Sequence, residues 1–246
     1  MKTLAFTLIC VYLSIYSAAQ TRSEGALTFK GNTYDVYMVQ ADSTALSRFS
    51  VIQNTSQLKH LDFATRQTVA DSNILLINAG VGGVNCKPEG WLVAGGNEIN
   101  ALNLNNGNGN FYLKPNGALV LTAKQALIVE SSKAVGLTGV VAAVQSGPML
   151  LVNGNYNQQI NAGSPNKNIR CGVGLFTKGK TTWLVFATSV SPVNFYDFAT
   201  LFKEKYGCDN ALCLESAGCA MYAPYIGRHN LTDDYVICNY IQFREQ

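Results

Sequence analysis

Short apolar runs separated by turn-forming residues dominate residues 91 to 152. The runs are WLVAGG, EINALNL, NFYLK, ALVLTA, ALIVES, VVAAVQ and MLLVNG. The separators are rich in glycine, asparagine and proline, for example Pro115-Asn116-Gly117 and Asn153-Gly154, which are residues that favour tight turns. This regular spacing predicts an extensive system of mostly antiparallel or mixed β-strands.

The same kind of pattern predicts strands on both sides of this region. The additional strands are Ala26 to Phe29, Tyr34 to Val39, Asn73 to Ile77, the two arms of a hairpin within Gly172 to Thr188, Ala211 to Leu214, and Tyr235 to Phe243. Hairpin turns are predicted at Gly31-Asn32 and at Lys178-Gly179-Lys180, because glycine adopts the backbone angles that short hairpins need.

Two segments have helical spacing instead. Ser56 to Ala70 carries apolar residues near every third or fourth position, with Thr55 or Ser56 as the N-cap. His60 lies on this helix and is predicted to be a surface residue. The second helix follows the cap Asn194, and it ends at Gly207. Its apolar stripe consists of Phe195, Phe198, Ala199 and Phe202. Because strands dominate, we predict an α+β fold, with a large mixed, mostly antiparallel sheet system and a few covering helices.

The first nineteen residues have the pattern of a secretory signal peptide. Lys2 is followed by an almost wholly apolar run from Leu4 to Tyr16, and Ser17-Ala18-Ala19 offers small residues for cleavage before Gln20. The run is too short to span a membrane comfortably. We therefore predict a secreted, periplasmic or extracellular protein with one domain over residues 20–246, since no linker divides the rest of the chain.

Composition narrows the possible partners. The chain is 48% hydrophobic and only 13% charged, which is typical of a globular domain. Its formal net charge is +3, without a basic run, so we predict no nucleic-acid partner. The oligomeric state is left open by the sequence.

Six cysteines lie outside the predicted signal peptide: Cys86, Cys171, Cys208, Cys213, Cys219 and Cys238. An even number in an exported protein indicates disulfides, although the sequence does not choose the pairs. A zinc site is disfavoured, because the spacing of the cysteines from 208 to 219 lacks a C-x2-C knuckle and His60 and His229 are isolated. We predict no cofactor, and nothing in the chain demands a divalent cation.

The stretch from Asp209 to Tyr222 is the first candidate for chemistry. Its strand ends at Glu215, and the small residues 216 to 218 follow. A carboxylate at the end of a buried strand can be a reactive group at the rim of a sheet, or it can simply begin a polar turn. Glu130 also ends a strand and is the fallback acid or base.

Three other turns carry candidate ligand-binding residues. The loop after Asn78 contains Gly80, where a missing side chain lets the backbone approach a ligand or another strand. Gln145-Ser146 ends a strand before a Gly-Pro corner, which is a binding element or a plain turn. Arg170 precedes a hairpin as either a solvated charge or a clamp for an anion.

The order of these turns resembles that of the phosphodiester glycosidase family, the domain once called DUF2233. The resemblance covers most of residues 30 to 224. Its motifs are Asn78-Ala79-Gly80, Lys87-Pro88-Glu89-Gly90, NFYLKPNG from Asn110 to Gly117, Gln145-Ser146-Gly147-Pro148-Met149-Leu150, Arg170 before Gly172-Val173-Gly174, NFYDFA from Asn194 to Ala199, and Ala211-Leu212-Cys213-Leu214-Glu215.

The resemblance implies hydrolysis of a sugar 1-phosphodiester, giving a sugar and a phosphomonoester, on a carbohydrate or phosphoglycan substrate. Glu215 would occupy the position of the family's aspartate. Lys114 and Arg170 would hold phosphate oxygens, and Gln145 and Ser146 would orient sugar hydroxyls. The substrate-binding set implied by the resemblance is Asn78, Gly80, Lys114, Asn116, Gln145, Ser146 and Arg170.

The last motif departs from the family pattern Leu-Asp-Gly-x-x-Ser, because this chain has LESAGC from Leu214 to Cys219. The departure leaves three hypotheses. The protein is a phosphodiester glycosidase with Glu215 as its carboxylate. Alternatively, it is a catalytically weakened or inactive module that binds carbohydrate or phosphoglycan on the same fold. A third hypothesis makes Cys219 a nucleophile assisted by His229, provided that its thiol is not in a disulfide.

Overall fold

The β-rich pattern folds into three antiparallel sheets in a computed structural model of the chain. The structure describes residues 21–70, 73–216, 218–224, 228–230 and 235–245. The predicted signal peptide lies outside the described residues and stays a prediction. Within the described part of the chain, no helix is both long enough and apolar enough to cross a membrane.

The strands of the described residues are β1 (Thr21–Phe29), β2 (Asn32–Gln40), β3 (Phe49–Gln53), β4 (Ile74–Asn78), β5 (Leu92–Ala94), β6 (Asn97–Asn100), β7 (Gly117–Thr122), β8 (Ala126–Glu130), β9 (Val140–Ser146), β10 (Met149–Val152), β11 (Asn155–Tyr156), β12 (Cys171–Lys178), β13 (Thr181–Ser189), β14 (Asn210–Glu215), β15 (Met221–Ala223), β16 (Arg228–Asn230) and β17 (Asn239–Arg244). The α-helices are α1 (Ser43–Leu46), α2 (His60–Ala70) and α3 (Phe195–Thr200). Short 3-10 turns occupy Val84–Cys86, Asn110–Tyr112 and Ser131–Lys133, and a π-helical turn, Leu201–Lys205, extends α3.

The largest sheet has seven strands in the order β1-β2-β13-β12-β14-β10-β11. A second sheet has the order β16-β15-β4-β17-β3, and a third has the order β6-β5-β9-β7-β8. Every pairing between these strands is antiparallel. The predicted α+β fold with a large, mostly antiparallel sheet system is therefore confirmed, as are both predicted hairpins.

A shared core lies where the three sheets face one another. Strand alternation decides which side chains enter it, because successive residues point to opposite faces. In β14, Leu212 and Leu214 enter this shared core, whereas Ala211 and Cys213 point toward a second core under α3. Strand β14 is thus covered on both faces, and Glu215 lies at its less buried end.

Helix α3 matches its prediction and packs on the outer face of the seven-stranded sheet. The Asn194 side chain caps it by accepting a hydrogen bond from the backbone N–H of Asp197 at 2.8 Å. Phe198 and Phe202 sit over two glycines of β12, where added Cβ atoms would lie 3.0 Å from Phe198 and 2.5 Å from Phe202. Glycine at these positions therefore lets the helix approach the sheet closely.

The first predicted helix differs from the structure in two ways. Helix α2 begins at His60 instead of Ser56, because the Asn54 side chain binds both the N–H and the carbonyl of Leu58 and holds that segment in a turn. The prediction of a surface histidine is wrong. His60 is fully buried, its Nδ1 lies 2.9 Å from the Tyr240 hydroxyl, and its ring stacks on Tyr240.

The predicted strand NFYLK is also wrong. Its first three residues form a 3-10 turn, and the Asn116 side chain donates to the Phe111 carbonyl at 3.1 Å. Pro115 ends the segment and has no N–H with which to continue a strand ladder. The segment instead crosses the end of the sheets and carries Asn110 toward β14.

Cysteine pairing is selective. Cys86 and Cys238 form a disulfide that joins the glycine-rich loop after β4 to the residue before β17. Gly82 makes room for it, because a Cβ there would lie 2.6 Å from the Cys238 sulfur. Four buried cysteines are thiols in the structure: Cys171, Cys208, Cys213 and Cys219.

Candidate active site

Glu215 is the last residue of β14, opposite Cys171 of β12 in the sheet ladder. The residue is partly exposed, whereas the four residues before it are buried. Its Oε1 accepts a hydrogen bond from the Ser216 N–H at 2.6 Å. The strand therefore delivers a carboxylate to the rim of the seven-stranded sheet, where the chain turns away.

Three side chains from other elements hold the residues on either side of Glu215. The Ser146 hydroxyl, at the end of β9, donates to the Leu214 carbonyl at 3.0 Å. Arg170 Nη1 donates to the Ser216 carbonyl at 3.1 Å, and Asn110 Nδ2 donates to the Ser216 hydroxyl at 2.8 Å. Because these contacts come from sequence-distant segments, the position of Glu215 depends on the whole fold.

Asn78 holds the far end of the same turn. Its Nδ2 donates to the Gly218 carbonyl at 3.2 Å, and its Oδ1 accepts from the Ala220 N–H at 2.9 Å. The predicted residues Asn78, Ser146 and Arg170 thus converge on the end of β14 and the segment that follows it. Each donates at least one hydrogen bond to a backbone carbonyl there.

Arg170 is buried completely, although arginine is among the residues least often buried. Its guanidinium donates to the carbonyls of Val193, Ser216 and Asn166 at 3.1 to 3.2 Å, and it stacks on the ring of Phe195 at 3.7 Å. Burial lowers the pKa of Arg170, and the nearby thiols and the Glu215 carboxylate oppose that shift. Arg170 therefore places a positive charge behind the Glu215 turn.

Two cavities adjoin each other, and the smaller of them lies beside this turn. The smaller has a volume of about 170 Å³ and is lined by Asn110, Asn166 and Phe195, each of which contacts Ser216 or Arg170. The larger has a volume of about 750 Å³, within the usual range for small-molecule sites. Gln159 lines both cavities, so they are neighbours along one surface.

The other predicted polar residues line the larger cavity. Lys114 and Asn116 are both on its wall, with Lys114 Nζ 3.3 Å from Asn116 Oδ1. Glu130 lines it as well, and its carboxylate is paired with Lys133 at 2.6 Å. Most of the predicted residues thus fall into one of two groups, one around the Glu215 turn and one on the larger cavity.

Gln145 and Gly80 belong to neither group. The Gln145 side chain is buried, and its amide oxygen accepts from the backbone N–H groups of Trp91 and Asn103 at 2.8 and 2.9 Å. Its amide nitrogen donates to the Asn103 carbonyl and the Ser131 hydroxyl. Gly80 has a φ of +78°, and a Cβ there would lie 2.8 Å from the Gln145 carbonyl oxygen. The loop was predicted to approach either a ligand or another strand, and in the structure Gly80 lies against strand β9. The substrate roles of Gln145 and Gly80 stay predictions.

Sequence reasoning missed Asn110, Ser216, Asn166 and Phe195 as members of the site. Asn110 lies in the NFYLKPNG motif and Ser216 in the LESAGC segment, and these positions are the sequence signal that could have identified them. Asn166 carried no signal, because it contacts Arg170 from an irregular loop. Phe195 belongs to the apolar stripe of the predicted second helix, and it also supports the Arg170 guanidinium.

Neither a metal cluster nor a reactive thiol emerges from the described residues. No group of three or more His, Cys, Asp or Glu is placed there to hold a metal ion. Cys219 is a thiol, but burial raises its pKa well above the ordinary value. A cysteine nucleophile needs the opposite shift, and the side chain of its suggested partner His229 lies outside the described residues.

Comparisons with known proteins agree with this architecture. The catalytic domain of zebrafish N-acetylglucosamine-1-phosphodiester alpha-N-acetylglucosaminidase shares the fold, with a TM-score of 0.61 over 95% of this chain and 85% of that one, at 13% identity. The uncharacterized protein YigE of Escherichia coli (strain K12) is 34% identical over 148 residues, which are 60% of this chain and 57% of YigE. The profile of the phosphodiester glycosidase family matches residues 71–225. The chain therefore belongs to the phosphodiester glycosidase family.

Proposed function

We propose that the protein is an exported hydrolase that cleaves a sugar 1-phosphodiester into a sugar and a phosphomonoester, with Glu215 at the reacting centre. The observation that carries this proposal is the convergence of Asn78, Asn110, Ser146 and Arg170 on the turn that presents Glu215. Catalytic groups need such support, because a displacement on the order of 1 Å can lower a rate about 100-fold.

The chemistry divides between the two groups of residues. Water adds to the anomeric carbon, the bond from that carbon to the phosphate oxygen breaks, and the phosphomonoester leaves with the bonding electrons. A carboxylate beside the anomeric carbon can act as a base toward the water or as a nucleophile. A cation stabilises the charge on the leaving phosphate. In this proposal Glu215 has the first role and Lys114, on the wall of the larger cavity, has the second.

Arg170 has a positioning role in this proposal. It holds the Ser216 carbonyl directly after Glu215, while its other bonds to Val193 and Asn166 keep the guanidinium in place. Ser146 and Asn78 act in the same way on the two ends of the turn. Their assignment to substrate contacts stays a prediction that substrate-bound geometry would test.

Export is part of the proposal. It is supported by the signal-like pattern of residues 1 to 19 and by the disulfide between Cys86 and Cys238, since such bonds persist in oxidising compartments.

The test is a panel of sugar 1-phosphodiesters that differ in sugar and anomer, incubated with the purified protein. Release of both a reducing sugar and a phosphomonoester is the expected result for at least one substrate. Glu215→Gln should abolish that release, and Asp62→Asn, which neutralises an exposed carboxylate on α2, should leave it unchanged. Release of inorganic phosphate, or of the anomeric sugar as its 1-phosphate, would contradict the proposed bond cleavage.

The second candidate is a non-catalytic module that binds carbohydrate or phosphoglycan. One observation favours it: the Glu215 carboxylate already accepts the Ser216 N–H at 2.6 Å, and the motif that carries it departs from the family's pattern. Calorimetry separates the two candidates. Saturable binding of a phosphoglycan, with no product after days, would support the module, and turnover that depends on Glu215 would exclude it.

A further inference from the structure

Three buried thiols surround a single backbone carbonyl, that of Glu215. The sulfurs of Cys213 and Cys219 each lie 3.1 Å from this oxygen, and the Cys171 sulfur lies 3.9 Å from it. The three residues have relative exposures of 0 to 1%. The fourth thiol, Cys208, lies elsewhere, against Gly174 and Phe202 under α3.

The fold brings Cys171 and Cys219 together from separate elements. Cys171 begins β12 and faces Glu215 in the ladder, while Cys219 follows a turn at Gly218, where φ is +72°. Both side chains also belong to the core shared by the three sheets. Cys213 differs, because its side chain belongs to the second core, under α3.

We propose that Cys171 and Cys219 form a second disulfide when the chain folds in an oxidising compartment. The two thiols react with a disulfide oxidant RS–SR, such as oxidised glutathione. One sulfur–sulfur bond forms within the protein, the oxidant's bond breaks, and two RSH molecules carry away the two protons and two electrons. This pairing leaves Cys208 and Cys213 as thiols.

The bond forms during folding and not afterwards. Thiolates carry out disulfide exchange, and burial raises the pKa of Cys171 to about 11 and that of Cys219 well above the ordinary value. The same burial excludes a bulky oxidant from the folded protein. A chain that folds without an oxidant therefore keeps its thiols, and two stable forms of the protein result.

The disulfide changes the setting of Glu215. Oxidation removes two of the three thiol donors from its carbonyl and leaves Cys213, while the new bond ties the turn after β14 to β12. The pairing itself is independent of the proposed function and shares with it only the oxidising compartment. If the proposed function also holds, the two forms will differ in kcat.

Peptide mapping tests the pairing directly. The full chain is unfolded, reduced and refolded with a mixture of oxidised and reduced glutathione, then denatured with N-ethylmaleimide and cut with trypsin without reduction. Cleavage after Arg170, Lys178, Lys205 and Arg228 gives two peptides, residues 171–178 and 206–228, that should appear joined. Fragmentation should place the bond at Cys219, with N-ethylmaleimide on Cys208 and Cys213.

Several outcomes would overturn the proposal: alkylation of all four thiols, a bond from Cys171 to Cys213 or Cys208, or a bond within residues 206–228. Cys208→Ala is the matched control, since it removes a buried thiol and should keep the joined peptides, whereas Cys171→Ala should lose them. Native protein first folded with dithiothreitol and then exposed to oxidised glutathione should stay unlinked at these positions. Rapid linkage there would refute the claim that the bond forms only during folding. None of these readouts requires activity.

Discussion

Acidification should destabilise the protein through His60. The imidazole is buried between Tyr240, whose hydroxyl lies 2.9 Å from Nδ1, and Tyr222, which packs edge-on against the ring. Its Nε2 is buried and has no hydrogen-bond partner among the described residues. Protonation would place a charge where nothing accepts the added hydrogen, and burial accordingly lowers the pKa of His60 from 6.5 to about 4.

The magnitude follows from this pKa difference. Because the folded-state pKa lies below the unfolded one, the unfolded chain takes up the proton first as the pH falls. The contribution of neutral His60 is complete above pH 6.5 and is lost progressively as the pH falls toward 4. A difference of this size corresponds to about 3 kcal/mol in the free energy of unfolding, of which about 2 kcal/mol is lost between pH 7 and pH 5.

Urea denaturation at pH 7 and pH 5 measures this loss, and two variants isolate it. His60→Phe removes the titrating group, so its free energy of unfolding should fall about 2 kcal/mol less than that of the wild type. Tyr240→Phe removes only the partner hydroxyl and should keep the wild-type pH dependence. Identical pH dependence in the wild type and His60→Phe would refute the reasoning.

Three further predictions concern the site and its support. Arg170→Lys should lose the forked contacts and lower the free energy of unfolding, measured in urea, by about 2–4 kcal/mol. The matched control Arg66→Lys, at an exposed position, should lower it little, and equal decreases would contradict the role of Arg170. Gly80→Ala should lower the free energy of unfolding by about 1–3 kcal/mol, which is more than Gly179→Ala should. Both glycines have a positive φ, but only at Gly80 would the added Cβ clash with the Gln145 carbonyl. Lys114→Met should raise KM or lower kcat roughly 10-fold or more for a phosphodiester, and unchanged kinetics, as expected for the exposed Lys124→Met, would remove Lys114 from the phosphate site.

Local patterns were sufficient to predict most strands and helix α3. The runs in β7, β9 and β14 are apolar and bounded by turn residues, and the Asn194 cap with its phenylalanine stripe specifies α3 within a few residues of sequence. Such features depend on neighbours along the chain, and they account for hairpins such as β1–β2 and β12–β13 but not for the pairing of β2 with β13 or of β4 with β17.

The burial of His60 and the pairing of the cysteines depend on contacts between residues far apart in the chain, which local patterns do not predict. His60 is buried because Tyr240, far along the chain, covers it, and no local pattern distinguishes that setting from a helix surface. The pairing of Cys86 with Cys238 depends likewise on the gap left at Gly82.

The candidate site shows the same division. Its residues were recognisable as motifs, but their hydrogen-bond partners were not. The resemblance implies substrate contacts for Asn78, Ser146 and Arg170, whereas in the structure each donates to a backbone carbonyl at the end of β14 or just after it. A motif specifies which residues meet, whereas only three-dimensional geometry specifies which of them face the cavity.

The role of Glu215 is tested most directly by kcat/KM on the best sugar 1-phosphodiester of the panel. Wild type and the charge-matched control Asp62→Asn should hydrolyse it at the same rate. Glu215→Gln, which keeps the shape of the side chain but removes its acid–base chemistry, should be slower by about 100-fold or more. Equal turnover by Glu215→Gln and wild type would contradict the central claim.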